Sequence, residues 1–185
     1  ETLCRLVSGN TSIDSGLTFT GVSSSSSEVV EGDLFLAYPG EKTHGAHFAR
    51  SALAQGARAI LTDSQGAEIA DGLPIIVVSD ARVSGAIVSA HLYGKPMQEM
   101  VSIGITGTNG KTTVSTLLHQ LFEKAGRESG LIGTVSTNIG RETIKSLRTT
   151  PEADTLQSLA ATMSERHMRH LVMEVSSHAL AMNRM

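Results

Sequence analysis

The stretch that decides the fold of the second half of the chain is Thr106-Gly107-Thr108-Asn109-Gly110-Lys111-Thr112-Thr113. It follows an apolar run at residues 100–106 that is typical of a buried strand. After it, apolar side chains recur at the spacing of an amphipathic helix, at Val114, Leu117, Leu118, Leu121 and Phe122. A glycine-rich turn between a strand and a helix directs backbone N–H groups and the helix dipole at a phosphate. The stretch therefore predicts a phosphate-binding loop.

The side chains of this loop suit a nucleotide. Gly107 and Gly110 allow a phosphate to approach the backbone closely, and Lys111 adds a positive charge at the β- and γ-phosphates. Thr112 offers a hydroxyl to Mg²⁺. The spacing Gly-x-x-Gly-Lys-Thr is shorter than the full phosphate-loop pattern, since Ile105 stands where that pattern has its first glycine. The strand and helix around the loop, more than its spacing, favour nucleotide binding over a structural turn.

The sequence of the second half predicts a mostly parallel sheet with helices, in an α/β domain. A strand at 129–134 completes a right-handed βαβ unit, in which we expect residues 100–106 to form a central strand. A helix at 156–163 then precedes a buried strand that ends in Glu174. Open α/β sheets bind ligands at this edge, so Glu174 could share Mg²⁺ with Thr112, or it could be a solvated strand-end carboxylate.

The first half predicts a smaller α/β domain. Strands are expected at 17–22, 34–38, 57–62 and 75–78, and helices at 46–55 and 81–92. Gly56 is placed to end the first helix, and Asp80 to cap the second. Because Gly94 and Pro96 interrupt the pattern, we expect one domain at 1–96 and the first part of an ATP-binding domain at 97–185.

Composition excludes several functions. A net charge of −3 and a pI near 6.2 provide no basic field for nucleic acid. No apolar run approaches the roughly 20 residues of a membrane helix and no signal pattern is visible, so we expect a cytoplasmic protein. The single cysteine, Cys4, cannot form an internal disulfide. The pairs His44/His47 and His167/His170 lack the further ligands that a structural zinc site needs.

Three motifs together resemble the Mur ligase family: the loop at 106–113, Thr149-Thr150-Pro151-Glu152, and Met173-Glu174-Val175-Ser176-Ser177-His178-Ala179-Leu180. The third motif is similar to the family members that add the third amino acid of the peptide. The N-terminal half agrees, since its segments resemble the uridine-nucleotide domain of those enzymes: Gly32-Asp33-Leu34-Phe35-Leu36-Ala37, Pro39-Gly40 and His44-Gly45.

The resemblance implies a role for each matching position. Lys111 and Glu174 would be catalytic, and Thr112 and Glu174 would hold Mg²⁺. ATP would be bound by Gly107, Thr108, Asn109, Gly110, Lys111, Thr112 and Thr113. UDP-N-acetylmuramoyl-dipeptide would contact Thr149, Thr150, Ser176 and Arg184, with its uridine end at Ser24, Ser26, Glu41, Lys42 and Thr43. The family commonly has Asp-Ser-Arg where this chain has Ser25-Ser26-Ser27.

The implied activity is that of a monomeric, ATP-dependent amide ligase in peptidoglycan precursor synthesis. It would add a diamino acid, such as meso-diaminopimelate or L-lysine, through an acyl phosphate. In the family, a C-terminal domain selects the amine, and further residues bind a second metal ion. Neither is in these 185 residues, so we expect the 185-residue chain to be inactive by itself. Alternatives are another Mur ligase, a folylpolyglutamate synthetase-like ligase, a P-loop kinase or GTPase, and a noncatalytic nucleotide-binding module.

Overall fold

The computed structural model describes residues 2–11, 13 and 16–185. The chain divides into two compact units, Glu1–Leu92 and Tyr93–Met185, and each has its own five-stranded sheet. The first sheet is mostly parallel, whereas the second is mixed, with two parallel and two antiparallel pairings. Helices pack on both sheets, so the predicted α/β class is confirmed, although the second sheet is not mostly parallel as expected. Within the described ranges, no helix is long and apolar enough to cross a membrane.

The first unit has strand order β1-β5-β4-β3-β2, and only the β1–β5 pair is antiparallel. Its strands are β1 (Asn10–Thr11), β2 (Gly21–Ser23), β3 (Asp33–Leu36), β4 (Ala59–Thr62) and β5 (Ile75–Val77). Its helices are α1 (Thr2–Leu6), α2 (Ala49–Ala54), α3 (Ser64–Ile69) and α4 (Ala81–Leu92), with a 3-10 turn at Gly45–Phe48.

Local chemistry accounts for these elements. The inner strands β3 and β4 are buried throughout, as apolar strands covered on both faces must be. Asp80 caps α4 as predicted, because its Oδ1 accepts the N–H groups of Arg82 and Val83 at 2.9 and 3.0 Å. Gly56 follows α2 with φ +117°, the left-handed backbone that favours glycine after a helix.

Two predicted elements of the first unit differ from the structure. The expected strand at 17–22 is formed only at Gly21–Ser23, because its partner β3 begins at Asp33. The Asp33 carboxylate closes the preceding turn by accepting the Val30 N–H. The expected helix at 46–55 begins as a 3-10 turn instead. His44 imposes this start by accepting the Ala46 N–H through Nδ1 at 3.0 Å.

The second unit has strand order β6-β10-β7-β8-β9. Its strands are β6 (Val101–Ile105), β7 (Ser129–Ile132), β8 (Ser136–Ile139), β9 (Glu142–Lys145) and β10 (His170–Glu174). Its helices are α5 (Lys111–Lys124), α6 (Ala153–Glu165) and α7 (Ser177–Ala181), with a 3-10 turn at Pro96–Gln98.

The position of β6 corrects one expectation. We predicted residues 100–106 as a central strand, but β10 pairs in parallel with both β6 and β7 and occupies the centre. The physical reason is the crossover through α6, whose Leu156, Ala160 and Met163 bury fully against the core and bring β10 between the two earlier strands. In the described sheet, β6 is therefore an edge strand.

One face of α5 is left uncovered. Val114, Leu117 and Leu121 are 51%, 55% and 62% exposed, and Val101 of the edge strand β6 is 57% exposed. We call these four side chains the α5–β6 apolar surface. Exposed apolar side chains grouped in this way mark an interaction surface or a site prone to aggregation.

A polar cluster lies on the other side of α5, between this helix and the strands β7 and β8. His119 Nδ1 is 2.7 Å from Ser129 Oγ, and Glu123 Oε1 accepts the Ser129 N–H at 2.9 Å. Asn138 Nδ2 approaches His119 Nε2 at 3.4 Å. Burial lowers the pKa of the His119 imidazole, and the Glu123 carboxylate opposes that shift.

Candidate functional site

The loop between β6 and α5 exposes its backbone at the start of a helix. Gly107 and Gly110 have φ of +143° and +81°, which side-chain-bearing residues rarely adopt. Gly110 is the N-cap of α5 and supplies no side-chain cap, so the first N–H groups of the helix are not satisfied by such a cap. This geometry suits a bound anion.

Lys111 folds back over the same loop. Its Nζ donates to the Gly107 carbonyl at 2.8 Å. Among the residues that the structure describes, no carboxylate pairs with this ammonium group. Its charge is therefore not neutralised within the fold and remains available to a phosphate.

Glu174, the last residue of β10, is 1% exposed and faces the start of α5. Its Oε2 accepts the Thr112 hydroxyl at 3.0 Å, so the structure brings together the two predicted metal ligands. Thr134 contributes its N–H to Oε1 at 2.9 Å and its hydroxyl to Oε2 at 3.0 Å. In the described part of the chain, Glu174 has no lysine, arginine or histidine partner.

The oxygen atoms of Glu174 and Thr112 suit a magnesium ion. A buried carboxylate with only neutral partners is costly unless a cation approaches it. The Thr112 hydroxyl points its proton at Glu174, which leaves its lone pairs free for a metal. The described residues contain no cluster of three or more His, Cys, Asp or Glu side chains, so a cation here would complete its shell with phosphate and water oxygens, as Mg²⁺ often does.

Thr149, Thr150 and Ser176 lie beside this carboxylate. The buried Thr150 hydroxyl donates to the Glu174 carbonyl at 2.9 Å and accepts the Ser176 N–H at 3.1 Å. The Ser176 hydroxyl caps α7 by accepting the Ala179 N–H. Thr149 Oγ1 is 3.0 Å from Thr134 Oγ1. The Thr150 hydroxyl thus joins the two motifs to each other through the Glu174 carbonyl and the Ser176 N–H.

Arg184 fixes the segment that carries Thr149 and Thr150. Its guanidinium donates to the Thr150 carbonyl at 3.2 Å and pairs with Glu152 at 2.8 Å. Arg148 pairs with the same Glu152 carboxylate. Two guanidinium groups therefore share the Glu152 carboxylate.

The predicted uridine residues lie in the first unit, after the carboxyl ends of two neighbouring parallel strands. Ser24 and Ser26 follow β2 and are half-buried, while residues 41–43 follow β3 and are exposed. Ser23 shapes the serine turn, because its hydroxyl donates to the Ser25 carbonyl and accepts the Ser25 N–H. Both segments therefore meet one edge of the sheet.

Sequence reasoning missed Thr134, although it contacts both oxygens of Glu174. A signal was present, since Gly133-Thr134 directly follows the buried strand β7 and parallel strands end at the same edge as Glu174. A Cβ at Gly133 would lie 2.6 Å from Glu174 Oε1, so a side chain there would displace the carboxylate.

Comparison with known proteins agrees with this architecture. Residues 18–105 match the profile described as the Mur ligase family, catalytic domain, and residues 105–185 match the Mur ligase middle domain. The chain is 48% identical, over 173 residues, to a UDP-N-acetylmuramoyl-L-alanyl-D-glutamate--2,6-diaminopimelate ligase of Streptomyces coelicolor; the match covers 92% of this chain and 34% of that protein. The chain thus spans about a third of the length of the curated relatives it matches.

Solved structures show the same likeness. A structure of a UDP-N-acetylmuramoyl-L-alanyl-D-glutamate--2,6-diaminopimelate ligase superposes with a TM-score of 0.72 at 29% identity, covering 90% of this chain and 34% of that one. A MurF ligase from Thermotoga maritima in complex with ADP shares the fold at a TM-score of 0.54 and 22% identity, over 89% of this chain and 34% of that one. Because the two Mur ligase profiles together match residues 18–185, the chain belongs to the Mur ligase family.

Proposed function

We propose that this chain is the substrate- and ATP-binding part of a cytoplasmic ligase that extends UDP-N-acetylmuramoyl-L-alanyl-D-glutamate by a diamino acid. The observation that carries the proposal is the buried Glu174 carboxylate, held by Thr112 at the mouth of a loop whose Lys111 charge is not neutralised. The names of the relatives favour 2,6-diaminopimelate as the added amine.

The proposed reaction has two steps. A carboxylate oxygen of the substrate forms a bond to the γ-phosphorus of ATP while the bond from that phosphorus to ADP breaks. The amine then attacks the acyl carbon, the bond from that carbon to phosphate breaks, and the nitrogen loses a proton, which leaves an amide and inorganic phosphate. Residues 107–113 would hold the phosphates, and Lys111 would offset the negative charge on the transferred group. Bound Mg²⁺, held by Thr112 and Glu174, would supply further charge neutralisation.

We assign the muramoyl-dipeptide end of the substrate to Thr149, Thr150, Ser176 and Arg184, and the uridine end to Ser24, Ser26, Glu41, Lys42 and Thr43. Two of these hydroxyls, those of Thr150 and Ser176, already serve internal hydrogen bonds, so their contribution would be to shape the segment. The guanidinium groups of Arg148 and Arg184, which meet at Glu152, would be the donors for a carboxylate of the substrate.

We place the boundary between the two domains at residues 96 and 97, and selection of the amine in the part of the relatives that this chain does not match. We further propose that the protein acts as a monomer without nucleic acid or membrane. Limited proteolysis tests the boundary, because cleavage should occur near residues 94–97 and leave an N-terminal piece intact. Cleavage first within β3 or β4 would contradict it.

Titration calorimetry of the chain with ATP, with and without Mg²⁺ and UDP-N-acetylmuramoyl-dipeptide, tests the function. A ligase part should bind both ligands. A P-loop kinase or GTPase would bind the nucleotide but not the muramoyl-dipeptide, and a noncatalytic module would do the same. Failure to bind ATP would refute the proposal altogether.

A further inference from the structure

We propose that Thr134 is a positioning residue that orients Glu174 for a cation and links it to the substrate segment; this inference rests on the proposed function. The Thr134 N–H donates to Oε1 at 2.9 Å, and the Thr134 hydroxyl donates to Oε2 at 3.0 Å. Because a single residue engages both carboxylate oxygens, it fixes the plane of the carboxylate group.

The donors also limit what Glu174 can offer. An ionised carboxylate has about four acceptor positions. The Thr112 hydroxyl takes one, and the two groups of Thr134 take two more. About one position therefore remains for a cation. Without the Thr134 hydroxyl, the carboxylate could rotate about the remaining contacts and present its oxygens in several orientations.

The direction of the hydroxyl protons connects Thr134 to Thr149. Their oxygens lie 3.0 Å apart, but Thr134 has a single hydroxyl proton. Thr134 is the donor in both of its hydroxyl contacts, so its one proton is shared between Glu174 Oε2 and Thr149 Oγ1. Thr134 thereby links the Glu174 carboxylate to the segment that carries Thr149.

The test is the gain in ATP affinity that Mg²⁺ gives the chain, measured by titration in Mg²⁺ and again in EDTA. Thr134→Val keeps the shape and the N–H but removes the hydroxyl. We expect this variant to lose about tenfold of the Mg²⁺-dependent gain, as for one hydrogen bond to a charged group. Its affinity in EDTA should equal that of the wild type. Thr134→Ser should restore the gain, and Thr143→Val, on the exposed strand β9, should leave it unchanged.

Equal losses in Mg²⁺ and in EDTA would overturn the proposal, because the hydroxyl would then support the fold alone. The proposal would also be overturned if Thr134→Ser lost as much of the Mg²⁺-dependent gain in ATP affinity as Thr134→Val does. If the valine variant does not fold, Thr134→Ala with serine as the rescue makes the same comparison. If the ATP affinity of the wild-type chain were the same in Mg²⁺ and in EDTA, that result would instead refute the proposed function. Adding Thr149→Val to Thr134→Val should have less than its separate effect, since both variants break the same contact between the two hydroxyls.

Discussion

Thr112 and Glu174 stand 62 positions apart in the sequence, yet the hydroxyl of the first lies 3.0 Å from the carboxylate of the second. Thr112 lies in the first turn of a helix and Glu174 ends a buried strand, so the contact depends on the pairing of β6 with β10. The pairing brings a helix N-terminus and a buried carboxylate together beside the loop that carries Lys111, which is the arrangement that the proposed phosphoryl transfer needs.

Removing the Lys111 charge should weaken nucleotide binding without unfolding the chain. Within the described residues, the hydrogen bond of the ammonium is to the Gly107 carbonyl in the exposed loop, so the core does not depend on it. We expect Lys111→Ala to cost about 2–3 kcal/mol of ATP binding, the usual value of a charge-assisted contact, and to abolish phosphoryl transfer in a full-length enzyme. Titration calorimetry measures the first effect and product formation the second.

The matched control is Lys124→Ala, which removes an exposed lysine at the other end of the same helix. Its ATP affinity should equal that of the wild type. Wild-type affinity in Lys111→Ala would show that the loop does not bind phosphate.

These 185 residues should not form an amide product by themselves. The relatives are about three times as long, and we assign amine selection to the part that the chain does not match. The assay mixes the chain with ATP, Mg²⁺, UDP-N-acetylmuramoyl-dipeptide and a panel of diamino acids, and detects product by mass. Product above background would contradict our placement of the missing catalytic groups.

The α5–β6 apolar surface should make the isolated chain prone to self-association. Replacing Leu117 and Leu121 together by glutamine should reduce the binding of a hydrophobic dye and light scattering. Stability should change by no more than about 0.5 kcal/mol per site, because these side chains are exposed.

Leu156→Ala is the contrasting variant, since Leu156 is fully buried in α6 and its truncation should cost about 2–5 kcal/mol. Unchanged dye binding in the double glutamine variant would show that the exposed leucines do not govern association.

Stability of the second unit should fall as the pH drops below about 6.5, the usual pKa of histidine. Burial lowers the pKa of His119 in the fold, so the unfolded chain binds the proton more readily. The contribution of His119 is therefore present above that pH and is lost below it. Urea unfolding at pH 5, 6 and 7 should show a shallower pH dependence for His119→Gln than for the wild type. The exposed His178→Gln should keep the wild-type dependence, and a matching change there would discount the role of His119.

Short-range patterns predicted most of the elements. The helix at α5 and the cap at Asp80 follow from spacing and from one side chain, and both are confirmed. The hairpin of β8 and β9 was missed, because residues 136–145 are largely polar and lack a clear alternation. The central place of β10 was missed as well, since strand order depends on long-range packing that no local pattern contains.

In the candidate site too, the residues within local motifs were predicted, and those that depend on long-range contacts were missed. Lys111, Thr112 and Glu174 were predicted from motifs, and the fold brings Thr112 and Glu174 into contact. Thr134 carries no motif, and only the meeting of strand ends reveals it. The ties of Arg184 to Glu152 and the Thr150 carbonyl likewise join segments that are distant in sequence.

The central position of β10 also has a consequence for the order of folding. The loop and α5 come early in the second unit, but Glu174 reaches them only after α6 has crossed the sheet and β10 has paired on both sides. Such non-local pairing is slow compared with helix formation. A partly folded chain would therefore contain the glycine loop without its carboxylate, and ATP with Mg²⁺ would bind selectively to the completed sheet. By mass action, the nucleotide would then act as a folding ligand that stabilises the whole second unit.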